Sequence, residues 1–100
     1  MHDLSFTFSA KLWKWTGKGT WFFMTVPKEY ADEIRFFAPD SKRGFGSVRV
    51  TASVGETVWK TSIFPSKSTG AYILPIKAEI RKNNALNDGS FAEVKIDIIV

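Results

Sequence analysis

The N-terminal segment of the chain alternates apolar and polar side chains. The apolar positions are Leu4, Phe6, Phe8, Ala10 and Leu12. A period of two is typical of a half-buried strand, so the even-numbered residues are predicted to face a core. The alternation breaks at Trp13-Lys14-Trp15, where two indoles fall on the polar face. Either a bulge reverses the register at this point, or both indoles lie on an outer surface.

Further strand patterns and two helical patterns follow, separated by Gly and Pro residues that break regular structure. The first predicted elements are a turn at 16–19, a strand at 20–26, a helix at 28–37 and a loop at 39–46 with Lys42 and Arg43 at its tip. Strands at 48–54 and 57–64 follow, joined by a Gly55-Glu56 hairpin, and then a loop at 66–70. The last third contains a short strand ending at Leu74, a helix opened by Pro75, a turn at Gly89 and a last alternating strand. Gly55 suits the first central position of a type II′ turn, which requires a positive φ.

The predicted helix at 28–37 has one apolar stripe. Tyr30, Ile34 and Phe37 recur at i, i+4 and i+7 and are expected to pack on the core. The other face is expected to lie in water and carries Lys28, Glu29, Asp32, Glu33 and Arg35.

Two segments of the chain share one plan. Residues 20–54 and 71–100 each read as strand, Pro, helix with Glu-Ile-Arg, loop, Gly-Ser and strand. Neither unit could cover its apolar sheet face alone, so the two are expected to pair as pseudo-symmetric strand-helix-strand units. The prediction is a mainly β single domain over residues 1–100, a barrel of six to seven strands capped by two short helices.

Composition supports this prediction and limits the class of protein. With 44% apolar residues and 15% aromatic residues, the chain has the composition of a globular domain rather than a disordered one. The absence of cysteine excludes disulfides and thiolate zinc sites. The sequence shows no secretory signal pattern and no apolar run long enough to span a bilayer, so a cytoplasmic protein without a membrane partner is expected.

The motifs that could carry catalysis or metal binding do not fit their patterns. Gly17-Lys18-Gly19-Thr20 lacks the leading glycine of a phosphate loop and is better interpreted as a hairpin turn. His2 is the only histidine, which excludes a histidine triad or a histidine metal site. No catalytic residue, metal ligand or cofactor is predicted, and a binding protein is favoured over an enzyme.

One group of cations could hold an anion. Lys77 and Arg81 lie at i and i+4 near the start of the second predicted helix, and Lys67 lies in the preceding loop. The net charge of +4 permits such an attraction, although it also serves solubility. The alternative is that Lys77 is only solvated and that Arg81 pairs with a carbonyl or a Glu.

Arg49 presents the same choice on the polar face of its strand. It could join the anion site as a ligand-binding residue. It could instead pair across strands with an acid such as Glu93 or Asp97.

A second candidate site interleaves aromatic and cationic residues. Its members are Lys11, Trp13, Lys14 and Trp15, with Lys18 close by in sequence. Such an interaction surface could stack nucleic-acid bases and hold phosphates. Alternatively, the indoles could form a lid over one end of the barrel, with the lysine stems lying alongside.

The segment ILPIKAEIRKNNALNDGS…VKIDI resembles the strand, Pro, helix, Gly turn, strand signature of AbrB and MazE type double-split β-barrels. The whole chain is similar to a bacterial family of unknown function, numbered 1905 among such domains, whose members share that barrel. It departs from the family pattern at Val54-Gly55, where Asn-Gly is usual, and at Gly89-Ser90, where Gly-Asp is usual. The resemblance implies a double-split barrel related to dimeric DNA-binding modules, built here from one chain, and it implies no activity.

The leading functional hypothesis is a non-enzymatic module that binds a partner or an anionic ligand, with nucleic acid as one candidate. The alternatives are a pocket at a barrel end for a small carboxylate or phosphate, with or without catalysis, and an accessory domain that has no activity of its own. A chain that carries both half-barrels need not dimerise, so a monomer or a weak homodimer is expected.

Overall fold

A computed structural model describes residues 4–37 and 46–99. In this part of the chain, six strands form one barrel, and two helices accompany it. The elements are β1 (Ser5–Gly17), β2 (Gly19–Val26), α1 (Lys28–Phe37), β3 (Val48–Val54), β4 (Thr57–Pro65), β5 (Tyr72–Pro75), α2 (Ala78–Asn83) and β6 (Phe91–Ile98). The barrel is closed in the order β1-β2-β5-β4-β3-β6, and all neighbouring strands are antiparallel. The predicted fold class, mainly β with two short helices, is confirmed.

The first strand crosses the whole barrel and changes partner halfway. Residues 5–11 of β1 pair with β6, and residues 12–17 pair with β2. The even-numbered residues from Phe6 to Leu12 are buried, as predicted. The pairing continues without a bulge through Trp13 and Trp15, which lie opposite Phe23 and Trp21. Of the two alternatives for the indoles, the outer surface is therefore correct.

The core fills the barrel with apolar side chains from every strand and from α1. Its largest fully buried members are Tyr72, Leu12, Met24, Ile34, Ile63, Leu74, Ile96, Val26, Val48, Val50 and Val94. The buried residues on the strands recur with a period of two, because one face of each strand lines the interior.

Helix α1 has the predicted bounds but a different buried face. Ala31 and Ile34 are buried, and Tyr30 packs its ring 5.1 Å from that of Phe6. Phe37 was expected on the core stripe, yet 51% of its surface is exposed. The prediction for Phe37 is therefore wrong, and its ring packs edge-on against that of Phe36 with centroids 4.8 Å apart.

Arg35 is a second correction on α1, since it is not simply a solvated residue. Its guanidinium donates a hydrogen bond of 2.8 Å to the carbonyl of Gly70 and lies 5.4 Å from the ring centroid of Tyr72. It also pairs with Asp32 at 3.2 Å. Arg35 therefore ties α1 to the loop before β5, a contact that helical periodicity cannot reveal.

The start of the second helix also differs from the prediction. Pro75 is the last residue of β5 and pairs with Phe23, and α2 begins three residues later at Ala78. Leu74 and Pro75 thus continue the strand, because the β5 backbone remains hydrogen-bonded to β2 up to the amide of Ile76, which donates to the carbonyl of Phe22 at 2.8 Å. The helix is only six residues long.

The two predicted strand-helix-strand segments both occur, as β2-α1-β3 and β5-α2-β6. Their strands are neighbours in pairs, β2 with β5 and β3 with β6. The internal repeat remains a prediction. The loop predicted at 39–46, with Lys42 and Arg43, lies outside the described residues except for Gly46. Within the described ranges, neither helix is long and apolar enough to cross a membrane.

Candidate functional site

A gap in the barrel wall opens where β5 is too short to join its neighbours along their full length. β5 has four residues and pairs with β4 only through Ile73 and Tyr72, opposite Phe64 and Pro65. The earlier parts of β2 and β4 therefore have no described strand between them. The start of α2 lies beside this gap, because only two residues separate it from β5.

A groove of about 820 Å³ occupies this gap, and we call it the cationic groove. Its charged lining residues are Arg49, Lys60, Lys77 and Arg81. Its hydroxyl-bearing lining residues are Thr20, Ser47, Thr61 and Ser62. Among the described lining residues there is no carboxylate, so the positive charges are not neutralised within the groove. An uncompensated cluster of this kind raises the local concentration of anions.

Arg81 is the most constrained of the four cations. Its guanidinium carbon lies 3.8 Å from the centroid of the Phe22 ring, which is a close cation–π contact. Its Nε is buried and has no hydrogen-bond partner among the described residues. Neither the carbonyl nor the Glu that sequence reasoning offered as a partner is bonded to this side chain within the described part of the chain. The guanidinium is thus held by its contact with the Phe22 ring and not by a hydrogen bond or ion pair to a described residue.

The other cations reach the groove from three segments of the chain. Lys77 is the residue before α2, is exposed, and makes no side-chain capping bond. Arg49 and Lys60 project from the outer face of the β3–β4 hairpin, where they lie opposite Ser62 and Thr51. The ion pairs found within the described residues both involve Asp32, so none of these cations is paired.

The alternative role considered for Arg49 is wrong. The β3–β6 register places Asp97 opposite Thr51, and the β1–β6 register places Glu93 opposite Ser9. No ion pair joins Arg49 to either acid.

Three of the four residues predicted for anion binding lie together, and one does not. Arg49, Lys77 and Arg81 share the cationic groove, whereas Lys67 is exposed in the loop before β5 and does not line it. Sequence reasoning missed Lys60. Counting outward along both strands from the Gly55-Glu56 turn would have found it, because the hairpin register puts Lys60 opposite Thr51 and on the same face as Arg49.

The second predicted site is an apolar groove of about 500 Å³ on the outer face of the sheet, and we call it the aromatic groove. Its lining residues are Trp13, Trp15, Trp21, Phe23, Phe64, Ser66, Ser68, Ile73 and Pro75. The strand register explains the grouping, because Trp13 is opposite Phe23, Trp15 is opposite Trp21, and Phe64 is opposite Ile73. The two indoles of β1 therefore lie on the sheet face rather than forming a lid over the barrel end.

Trp13 and Trp15 differ in exposure and in the contacts of their rings. Trp13 is half-buried, and its Nε1–H donates a 2.9 Å hydrogen bond to Oγ1 of Thr25, which is a structural contact. Trp15 is 45% exposed. Its ring lies across Gly17, where any β-carbon would overlap it. Lys11 and Lys14 are exposed but do not line the aromatic groove.

The groove also contains aromatic residues that sequence reasoning did not include in the second candidate site. Trp21 and Phe64 lie in the strands predicted at 20–26 and 57–64, and they are 53% and 42% exposed. The ring of Trp21 stacks on that of Phe23 with centroids 6.3 Å apart. A continuous apolar run conceals which face of a strand is outside, so periodicity gave no signal here.

Metal binding finds no support in the described residues, which contain no cluster of three or more His, Asp or Glu side chains. The lining of both grooves offers cations, hydroxyls and aromatic rings. These are groups that bind anions and planar apolar molecules.

Comparison with known proteins identifies one family. A model of the family described as "Domain of unknown function (DUF1905)" matches residues 8–96. That range contains every lining residue of the two grooves. The resemblance to this family inferred from the sequence is confirmed. No curated protein matches the chain.

Proposed function

The chain belongs to the family described as Domain of unknown function (DUF1905), and we propose that it is a binding module whose cationic groove holds an anionic ligand. One observation carries the proposal: four cations line a single groove that has no carboxylate among its described lining residues. Folding a domain so that like charges converge costs free energy unless a bound anion offsets it.

The geometry favours an oxyanion with several acceptor atoms. Arg81 presents a guanidinium held flat on Phe22, and a planar fork of donors suits phosphate or carboxylate oxygens. Lys77 and Lys60 approach as flexible point charges, and Ser62 adds a hydroxyl donor. An anion in the groove would thus receive both charge and directed hydrogen bonds.

Thermal unfolding with inorganic pyrophosphate tests the proposal. A ligand present at 100 times its dissociation constant stabilises the folded state by about 2.7 kcal/mol, so Tm should rise by about 10 °C or more. Arg81→Ala and Lys77→Ala should each reduce this shift. The matched control is Lys67→Ala, which removes an exposed lysine outside the groove and should leave the shift unchanged. Equal loss with the control variant, or no shift in the unaltered protein, would refute the proposal.

A further inference from the structure

The cationic groove and the aromatic groove are parts of one continuous surface. Both are lined by Trp21, Phe64 and Pro75. The cations lie on one side of these shared residues, and the exposed rings extend on the other side along β1 and β2. A ligand that fills both grooves must therefore carry negative charge next to flat apolar groups.

The exposed rings of the aromatic groove present stacking surfaces. Trp15 and Trp21 lie opposite each other in the β1–β2 pair and are 45% and 53% exposed. Burial of so much aromatic surface by a ligand is favourable, and stacking on an aromatic ring accepts any base because every base has a π-face. In a duplex these base faces are covered by their neighbours, whereas in an unpaired strand they are accessible, so among polynucleotides the exposed rings favour a single strand.

A second copy of this chain fits the surface less well. An isologous interface through the aromatic groove would bring the cationic grooves of both copies close together, because the two grooves share residues. Like charges at an interface oppose association. A polyanion would instead be attracted to the cationic groove and could occupy both grooves.

We propose that the two grooves together bind single-stranded nucleic acid, with phosphates at Arg81, Lys77, Lys60 and Arg49 and bases stacked on Trp15 and Trp21. The proposal rests on the proposed function, since the same four cations would hold the phosphates. It adds the class of ligand and the role of the aromatic groove.

Fluorescence anisotropy with three labelled probes tests the proposal: a twelve-residue oligothymidine, a strand of the same length with abasic sugars, and a duplex of the same length. Stacking of one base changes the dissociation constant by a factor of about 5 or more. We therefore expect the oligothymidine to bind at least about fivefold more tightly than the abasic strand and the duplex. Equal affinity for the three probes would overturn the proposal.

Variants assign the two parts of the surface. Trp21→Ala should weaken oligothymidine binding at least about fivefold and leave abasic binding unchanged, whereas Arg81→Ala should weaken both. Trp21→Phe, which keeps a ring and places little demand on folding, should retain most of the affinity. The matched control is Phe91→Ala, because Phe91 is 69% exposed and lies outside both grooves. An equal loss with Phe91→Ala, or no loss with Trp21→Ala, would contradict the proposal.

The salt dependence provides a second readout. For a single strand, the slope of the logarithm of the association constant against the logarithm of the salt concentration is about −0.7 per phosphate contact. Four cations therefore predict a slope near −3. Arg81→Ala should make this slope less steep by about 0.7. A slope near zero would overturn the proposal.

Light scattering tests self-association through the aromatic groove. The free protein should not form a dimer through this groove. If the protein is a dimer and Trp21→Ala converts it to a monomer, the aromatic groove is a self-association surface and the proposal is overturned. If pyrophosphate still stabilises the protein while bases add no affinity, this inference fails and the proposed function stands.

Discussion

At the residue scale, Arg81 and Tyr72 show how burial changes the behaviour of a polar group. The Arg81 guanidinium is half-buried against Phe22 and keeps an unpartnered Nε. Tyr72 is 1% exposed, and burial raises the pKa of its phenol above the ordinary value of 10.0. The positive charge of Arg35 and its hydrogen bond to the phenol oppose this rise without cancelling it.

Tyr72 therefore predicts a loss of stability in alkaline solution. The pKa of Tyr72 is higher in the folded protein than in the unfolded chain, so the neutral phenol contributes to the free energy of unfolding. This contribution is fully present below about pH 10 and is lost as the pH rises through the pKa of the folded state. Urea unfolding from about pH 8 to about pH 11 should show a smaller decline for Tyr72→Phe than for the unaltered protein. Tyr30→Phe, which changes the chain's other tyrosine, should keep the full decline. The same decline in Tyr72→Phe and the unaltered protein would contradict the prediction.

At the element scale, α2 is short and its C-terminal end is strained. The amide of Leu86 donates to the carbonyl of Arg81, and the amide of Ala85 donates to that of Lys82, which together form a Schellman motif. The motif requires a left-handed residue, and Ala85 adopts it with a φ of 52°. Glycine is the usual residue at this position because it has no β-carbon.

Ala85→Gly is expected to stabilise the protein. Relief of the left-handed conformation gains about 1 to 2 kcal/mol, and the added freedom of glycine in the unfolded chain costs about 0.5 to 1 kcal/mol. The free energy of unfolding in urea should therefore rise by about 0.5 to 1 kcal/mol. Ala78→Gly, at the other end of α2, is the matched control and should lower it. A decrease with Ala85→Gly would show that the strain is not released by this change.

At the scale of the whole molecule, closure of the barrel depends on β6. This strand pairs with β1 on one side and β3 on the other, and Ile96 lies opposite both Phe6 and Ala52. Its side chain is fully buried. The last strand, β6, thus connects the first strand, β1, to β3 and closes the barrel. We therefore expect the barrel to unfold as a single cooperative unit.

Ile96→Ala should destabilise the whole barrel by about 2 to 5 kcal/mol, because it removes core volume at the closing strand. Tryptophan fluorescence reports mainly on β1 and β2, and far-UV circular dichroism reports on all strands. The two signals should shift together in urea. The matched control is Ile99→Ala, since Ile99 is 37% exposed and lies beyond β6, and it should cost less than about 1 kcal/mol. Separate transitions for the two signals would refute the single cooperative unit.

The sequence by itself determined the local structure of this protein. The alternation from Phe6 to Leu12, the bounds of α1 and the hairpin at Gly55-Glu56 follow from side-chain period and turn chemistry, and the structure has all three. It also offered Arg49, Lys77 and Arg81 as candidate anion-binding residues, with a solvated or paired role as the alternative. These features depend on residues close together in the chain, whose side-chain pattern and φ preference act locally.

Only the tertiary structure decided which of these residues meet. The shortness of β5 leaves a gap between β2 and β4, and closure of the barrel brings Arg49 and Arg81 to that gap from distant parts of the chain. The same closure excludes Lys67, includes Lys60, and turns Trp21 and Phe64 outward. Strand order and the facing of a two-sided apolar run are set by long-range pairing, which local periodicity does not encode.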